Sequence, residues 1–364
     1  MEEERTLCTC CGEPLLTDYY STVYDNPICD SCANNECSRC ECCGDLIYDS
    51  DVYASDYDRC LCESCFNEFY AHCDSCDDLI HRDDLHEYDD CYYCSRCYYE
   101  KTHVIRNYSY KPLPVFYGEG KRFLGVELEI DKGGRDSDNA QEILDIANDS
   151  KEQRLYIKTD SSLDDGMELV THPMTINYHL HEFKWEDILK TAVNMGYRSH
   201  QTSTCGLHVH VNRDAFGDDE DEQEEVISRI LYFVEHHWLE MVKFSRRTES
   251  ALNRWAARHG YEPSPSEVMS KAKSDYGRYY AVNLCNHNTI EFRLFRGTLK
   301  LNTLLAALQL VDIICETAMN LDDEELQALS WSEFVSRITY PELIQYLKER
   351  QLYINEITNE EEEI

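Results

Sequence analysis

Positive charge is scarce in this chain: 34 Lys and Arg stand against 71 Asp and Glu over 364 residues, giving a formal net charge of -37. That shortage speaks against a surface that tracks a phosphate backbone, because nonspecific nucleic-acid affinity comes from neutralising phosphates with Lys and Arg. It disfavours anionic membranes for the same reason, so neither nucleic acid nor membrane is expected as a partner. The first residues, Met1-Glu-Glu-Glu-Arg-Thr6, lack the basic and apolar regions of a signal peptide. The most apolar later stretch, Leu301 to Cys315, is interrupted by Gln309 and Asp312 and is expected to fall short of a bilayer span. Together these absences predict a soluble, cytoplasmic protein. The acidic surplus itself serves solubility, with attraction to cationic partners the sharper alternative.

Aliphatic residues are scarce too, but only in the first hundred or so residues, which hold seventeen of the twenty cysteines with abundant Asp and Tyr. Such a composition does not build a hydrophobic core. In a reducing compartment a dense cysteine pattern is better read as metal-binding than as disulfide-bonded. Here it is a repeat advancing by about 32 residues: Cys8-x-x-Cys11 with Cys29-x-x-Cys32, Cys40-x-x-Cys43 with Cys62-x-x-Cys65, and Cys73-x-x-Cys76 with Cys94-x-x-Cys97. Each unit offers four thiolates at the spacing of tetrahedral zinc sites in ribbons and treble clefs, so three structural Zn²⁺ modules are expected. Cys10, Cys37, Cys42, Cys60 and Cys91 lie outside that register, as do His72, His81, His86 and His103, and a LIM-like scheme using Cys37 with Cys40 is an alternative. Asp, Glu and Tyr fill the loops, which argues against DNA recognition. Docking of a protein partner, or a structural brace, is the expected role.

Four segments follow from this pattern: a cysteine-rich arm over 1–105, a linker over 106–120 containing Lys111-Pro-Leu-Pro114, a larger domain over 121–350, and an acidic tail over 351–364. The larger domain reads as α+β, an antiparallel sheet with helices on one face. Strands are expected at Phe123 to Ile130, Leu155 to Lys158, Met167 to Thr171, Leu207 to Asn212, Tyr279 to Leu284 and Thr289 to Phe295. Helical spacing runs through Ala140 to Asn148, Thr175 to Met195, from the acidic run Asp218 to Glu225 through Phe244, and over Leu301 to Asn320.

Three of these strands carry charged or ligating residues two apart, namely Glu127/Glu129, His208/His210 and Glu291/Arg293. Residues i and i+2 of a strand share a face, so Val126, Leu128 and Ile130 face the core while the carboxylates face away. Glu168, between Met167 and Leu169, follows the same alternation. Clustered carboxylates raise one another's pKa values unless a cation sits among them. Oxygen-rich ligation with an imidazole suits Mg²⁺ or Mn²⁺, and Mg²⁺ commonly takes further ligands from substrate phosphates. Arg293 and Arg296 fit that picture, since guanidinium groups grip phosphate.

In order, Gly125-Val-Glu-Leu-Glu129, Asp160-Ser-Ser with Gly166-Met-Glu-Leu-Val-Thr171, Cys205-Gly-Leu-His-Val-His-Val211, Arg278-Tyr-Tyr-Ala-Val-Asn-Leu284 and Glu291-Phe-Arg-Leu-Phe-Arg-Gly-Thr298 resemble the amidoligase family. That family lies within the glutamine synthetase and glutamate-cysteine ligase group of carboxylate-amine ligases. The resemblance spans Phe123 to Asn320. It implies a glutamine synthetase-like catalytic fold, ATP and Mg²⁺ or Mn²⁺ as cofactors, and a carboxylate and an amine as substrates joined through an acyl phosphate. By the same resemblance Glu127, Glu129, Glu168, His208 and Glu291 would be metal ligands and Arg293 a contact to the transferred phosphoryl group. His210, Arg278 and Arg296 would be further nucleotide or acyl-phosphate contacts, although the family usually has a small polar residue at the Arg296 position. Asp160 is a candidate base by position, or simply a turn-former. Two other readings remain open at this point: a non-catalytic zinc-dependent adaptor, and a phosphotransferase on the same fold.

Overall fold

In this computed structural model the chain divides into two compact units, residues 1–102 and 103–364. The structure describes residues 6–15, 21–56, 59–149, 152–274 and 277–353. Most of the expected acidic tail, 354–364, lies outside them, but Leu352 is buried and its carbonyl accepts from Trp331 Nε1 at 2.8 Å.

Unit 1 repeats one small motif. The residue after each leading Cys-x-x-Cys takes a left-handed conformation, at Gly12, Gly44 and Asp77. There its N–H returns to the carbonyl of the first cysteine, at 2.8, 2.8 and 2.9 Å. Glycine meets this demand without strain, and Asp is among the few side chains that tolerate it. A two-stranded hairpin follows, then a helix, as in Asp30–Asn35, Glu63–Phe69 and Ser95–Thr102. Cys29 and Cys62 are the N-caps of the first two helices, each sulfur accepting from the N–H three residues on. The cores are minimal and shared along the repeat. Leu46, from the start of the second module, packs with Cys8, Val23 and Ile28 of the first, and Leu79 of the third packs with Cys40, Leu61 and Cys65 of the second.

Unit 2 is mixed α/β. Its seven strands are β1 (Ile105–Arg106), β2 (Leu124–Ile130), β3 (Leu155–Lys158), β4 (Met167–Thr171), β5 (Gly206–Asn212), β6 (Val282–Asn283) and β7 (Thr289–Arg296), in the order β1-β3-β4-β2-β5-β7-β6. All neighbours are antiparallel except β1 and β3. The edge strand straddles the expected boundary between arm and linker, and Tyr117 within the linker is buried. Leu124, Val126, Leu128 and Ile130 of β2 join one continuous core with the helices Glu220–His236 and Leu301–Asn320. The second of these is long and apolar enough to cross a membrane by length and composition, but most of it is buried within the unit.

The long helical patterns break where the chain must turn. The one over 175–195 divides into Ile176–His181 and Trp185–Asn194, and the one ending near Phe244 divides at His237, whose ring packs against Phe233 and Trp331. Strand β6 is shorter than the alternation suggested.

Candidate active site and metal centres

Register lays the polar face of the sheet out in rows. Lys158 stands opposite Glu168, which stands opposite Glu129. Glu127 stands opposite His208, and His210 opposite Glu291, which faces Asn283. Between β5 and β7 the register shifts from Val209↔Phe292 to Leu207↔Phe295, so both Arg293 and Leu294 stand opposite His208. Such bulges re-aim side chains beside active sites.

These rows floor a cavity of about 770 Å³ lined by Glu127, Glu129, Glu168, His208, His210 and Glu291, and by Arg278, Arg293 and Asp160. Arg296 is not among its lining residues. The space above Gly206 is taken by Arg247, whose Nη2 lies 2.4 Å from where a Cβ would stand. Arg296 lines a second, smaller cavity with His200 and Arg246, its Nη2 3.5 Å from the Thr202 carbonyl. The structure thus sets Arg296 apart from the cavity that Arg293 lines.

The carboxylates are surrounded by donors. The Arg293 guanidinium donates to Glu291 Oε1, Asn283 Nδ2 donates to Glu291 Oε2 at 2.7 Å, and the Gly206 N–H donates to Glu129. Lys158 Nζ lies 3.0 Å from Glu168 Oε2 and 3.7 Å from Glu127 Oε1. His208 Nδ1 lies 3.4 Å from both Glu127 and Glu291. Burial pushes the Glu127 carboxyl up, but His210, His208 and Lys158 outweigh it and hold the group well below the ordinary range. Glu168, buried and facing the Glu127 charge, is instead held well above it. Burial also keeps Glu129 raised, against the pull of His208 and the Gly206 amide.

A divalent cation fits this donor set. Glu127, His210 and Glu291 bring one ligand atom each within 4.8 Å of one another, as do Glu127, Glu168 and His208. His210 Nε2 is buried without a hydrogen-bond partner, 3.5 Å from Glu127 Oε1 and 3.9 Å from Glu291 Oε1. A buried polar nitrogen left unmatched beside carboxylates is compatible with an ion or a water there.

Several lining residues come from elements with little periodic signal. Arg247 follows the helix Trp238–Ser245, and burial lowers its pKa to about 10. Arg254 and Trp255 close the helix Glu249–Trp255, with the Arg254 guanidinium 4.5 Å from the indole centroid. Tyr279 packs under both Arg278, at 5.0 Å, and Arg293, at 5.8 Å. Lys158 was not singled out from the sequence, although the alternation of Leu155 and Ile157 with Tyr156 and Lys158 puts it on the polar face.

In unit 1 the sulfurs of Cys8, Cys11, Cys29 and Cys32 gather within 4.8 Å, as do those of Cys40, Cys43, Cys62 and Cys65, and of Cys73, Cys76, Cys94 and Cys97. These three clusters could each hold zinc. Backbone N–H groups already point at the sulfurs, including Cys29 N to Cys8 Sγ at 3.3 Å, Cys62 N to Cys40 Sγ at 3.4 Å and Cys94 N to Cys73 Sγ at 3.3 Å. The N–H groups of Cys11 and Cys29 bring the Cys8 thiol down to about 6. Burial opposes the same effect at Cys40 and Cys73, yet both also fall to about 6. Cys32, pressed by the neighbouring Cys29 sulfur, and Cys65 and Cys76, pressed first by burial, shift the other way; thiolate is the ligating form, so a cation is what would let all four sulfurs of a cluster ionise.

Fold and site thus bring a carboxylate and histidine cluster that could hold a cation into one cavity with several arginines. Residues 143–314, just under half of the chain, match the model of the family described as "Putative amidoligase enzyme". That is the family its ordered motifs resemble, and the match takes in Glu168, His208, His210, Arg278, Glu291 and Arg293. Glu127 and Glu129 lie before it, yet the sheet register joins them to it. Among solved structures, a bifunctional glutathione synthetase from Pasteurella multocida aligns at 13% identity with a TM-score of 0.34, over 63% of this chain and 46% of that one. The chain therefore spans less than half the length of that protein. No curated protein matches it.

Proposed function

We propose that the chain is an ATP-dependent carboxylate-amine ligase with a glutamine synthetase-like catalytic sheet. The observation that carries this reading is the convergence of Glu127, Glu168, His208, His210 and Glu291 with Arg293 in one cavity, within a chain whose 143–314 segment matches an amidoligase family. In the reaction, a substrate carboxylate oxygen attacks the γ-phosphorus of ATP, the bond to the β-phosphate oxygen breaks, and ADP leaves. An amine then attacks the acyl carbon, orthophosphate departs, and the amine proton is lost as the amide forms. Activation is needed because a carboxylate is a poor electrophile.

A bound Mg²⁺ or Mn²⁺, held by Glu127, His210 and Glu291, would polarise the phosphate oxygens and offset their charge. Arg293, fixed by Glu291 and backed by the Tyr279 ring, presents its guanidinium to the transferred phosphoryl group. Arg247, at the cavity floor beside Glu129, adds a second positive charge. Arg254 and Trp255, at the end of a short helix, line the same cavity. The zinc modules of unit 1 would serve to dock a substrate or protein partner.

The test is product analysis with Mg-ATP. Phosphate released only when a carboxylate and an amine are both supplied supports ligation. A stable phosphorylated acceptor would replace this reading with a phosphotransferase, and no turnover across broad substrate pools would leave a binding platform.

A further inference from the structure

The geometry points to Lys158 as a resident cation that takes the place of a second divalent ion, so that without nucleotide the carboxylate face holds one ion, at Glu127, His210 and Glu291. This rests on the reading of that face as a divalent-cation site and specifies how many ions the protein alone can keep there.

Two ligand groupings share Glu127, one with His210 and Glu291, the other with Glu168 and His208. A shared carboxylate ordinarily lets two ions sit side by side. These groupings differ, however, in what already fills them. The first contains the unmatched His210 Nε2. The second contains an ammonium group, with Lys158 Nζ 3.0 Å from Glu168 and 3.7 Å from Glu127.

The position of Lys158 is set by the sheet rather than by chance. It stands on β3 directly opposite Glu168, in the row that continues to Glu129. Its side chain is only 11% exposed, so it does not reach bulk water without leaving the sheet face. An ion in reach of both carboxylates would then stand within a few ångström of like charge in a poorly screened site. Lysine suits this place because its ammonium is a compact charge with three donors, able to serve two carboxylates at once.

The experiment counts Mn²⁺ bound to the zinc-replete full chain without nucleotide, by equilibrium dialysis, and reads the spin coupling of the bound ions by electron paramagnetic resonance. The wild-type chain is expected to hold one Mn²⁺ with no exchange coupling. In Lys158→Met the Glu127–Glu168 edge loses its cation, and two ions with an exchange-coupled spectrum are expected. Lys158→Gln, neutral but still able to donate to Glu168, gives the same count if the Met variant does not fold, and Lys158→Arg stays at one. Two coupled ions in the wild type, or one in both neutral variants, overturns the role of Lys158. No bound manganese in the wild type overturns the cation-site reading itself, and phosphate release with substrates, measured separately, reports on the ligase.

Discussion

The Arg293 guanidinium donates to the carboxylate of Glu291, two residues earlier on the same strand, while Asn283 Nδ2 occupies the other Glu291 oxygen at 2.7 Å. One side chain of the carboxylate cluster thus fixes the arginine beside it. On the proposed reading, charge on a phosphoryl group and charge on a metal ion would be coupled through this single carboxylate.

Glu291→Gln and Arg293→Ala are each expected to lower ATP consumption by about 10²- to 10³-fold, the usual scale for loss of one preorganised electrostatic contact. Neither should unfold the unit, because both side chains line the polar face rather than the core. Each leaves a buried partner imperfectly matched, for a cost of about 1–3 kcal/mol. Urea titration and phosphate release on the same samples separate the two effects. Near-normal turnover in both variants would sink the site.

Zinc removal should act on unit 1 alone. Each module has a core of a few residues and leans on its neighbour through Leu46 or Leu79, so metal supplies most of what folds it. Elemental analysis is expected to give three zinc atoms per chain. Cys62→Ser should lower that count, whereas Cys60→Ser, outside the four-sulfur clusters, should leave it at three. A full zinc complement in Cys62→Ser would refute the ligand register.

Much of this was legible because alternation and spacing are local. Glu127, Glu168, His208 and His210 could be placed on one face from strand parity alone, and the cysteine knuckles from their intervals. What could not be read was non-local. The register shift that sets both Arg293 and Leu294 against His208 depends on how β7 meets β5. Arg247 and Trp255 reach the cavity from a loop and a seven-residue helix with no periodic signature. Arg296 lines a different cavity, with His200 and Arg246, which its proximity to Arg293 in sequence does not reveal. The edge strand Ile105–Arg106 is two residues long, and only its pairing with β3 defines it.

Gly206 is a position where a single methyl group should matter. A Cβ there would stand 2.4 Å from Arg247 Nη2, 2.8 Å from His208 Nε2 and 3.3 Å from Glu129 Oε2. The backbone is unstrained, so Gly206→Ala is expected to fold, with Arg247 and His208 displaced by the new methyl. Turnover should fall at least about tenfold, equivalent to about 1.4 kcal/mol in the barrier, while the melting temperature moves by only a few degrees. Unchanged kinetics would show that neither Arg247 nor His208 needs its present position.

The last prediction concerns acid. Trp185 Nε1 donates to His179 Nδ1 at 3.2 Å, so the other ring nitrogen, Nε2, carries the proton and donates to the Leu124 carbonyl at 2.9 Å. Burial opposes the added charge, so the folded-state pKa drops to about 4 from 6.5, and a second proton would in addition set N–H against N–H. His237, buried beside His236, shifts the same way to about 4. For a base with a depressed pKa the unfolded chain takes up protons first. Stability is therefore undiminished above pH 6.5 and lost progressively as pH falls toward 4, by up to about 3 kcal/mol per histidine. All four tryptophans lie in unit 2, so urea unfolding followed by their fluorescence reports this unit regardless of zinc loss from the other. His179→Gln, which can still accept from the indole and donate to Leu124, should flatten the decline between pH 6.5 and 4. An identical slope in the variant would mean that His179 is not the group being protonated.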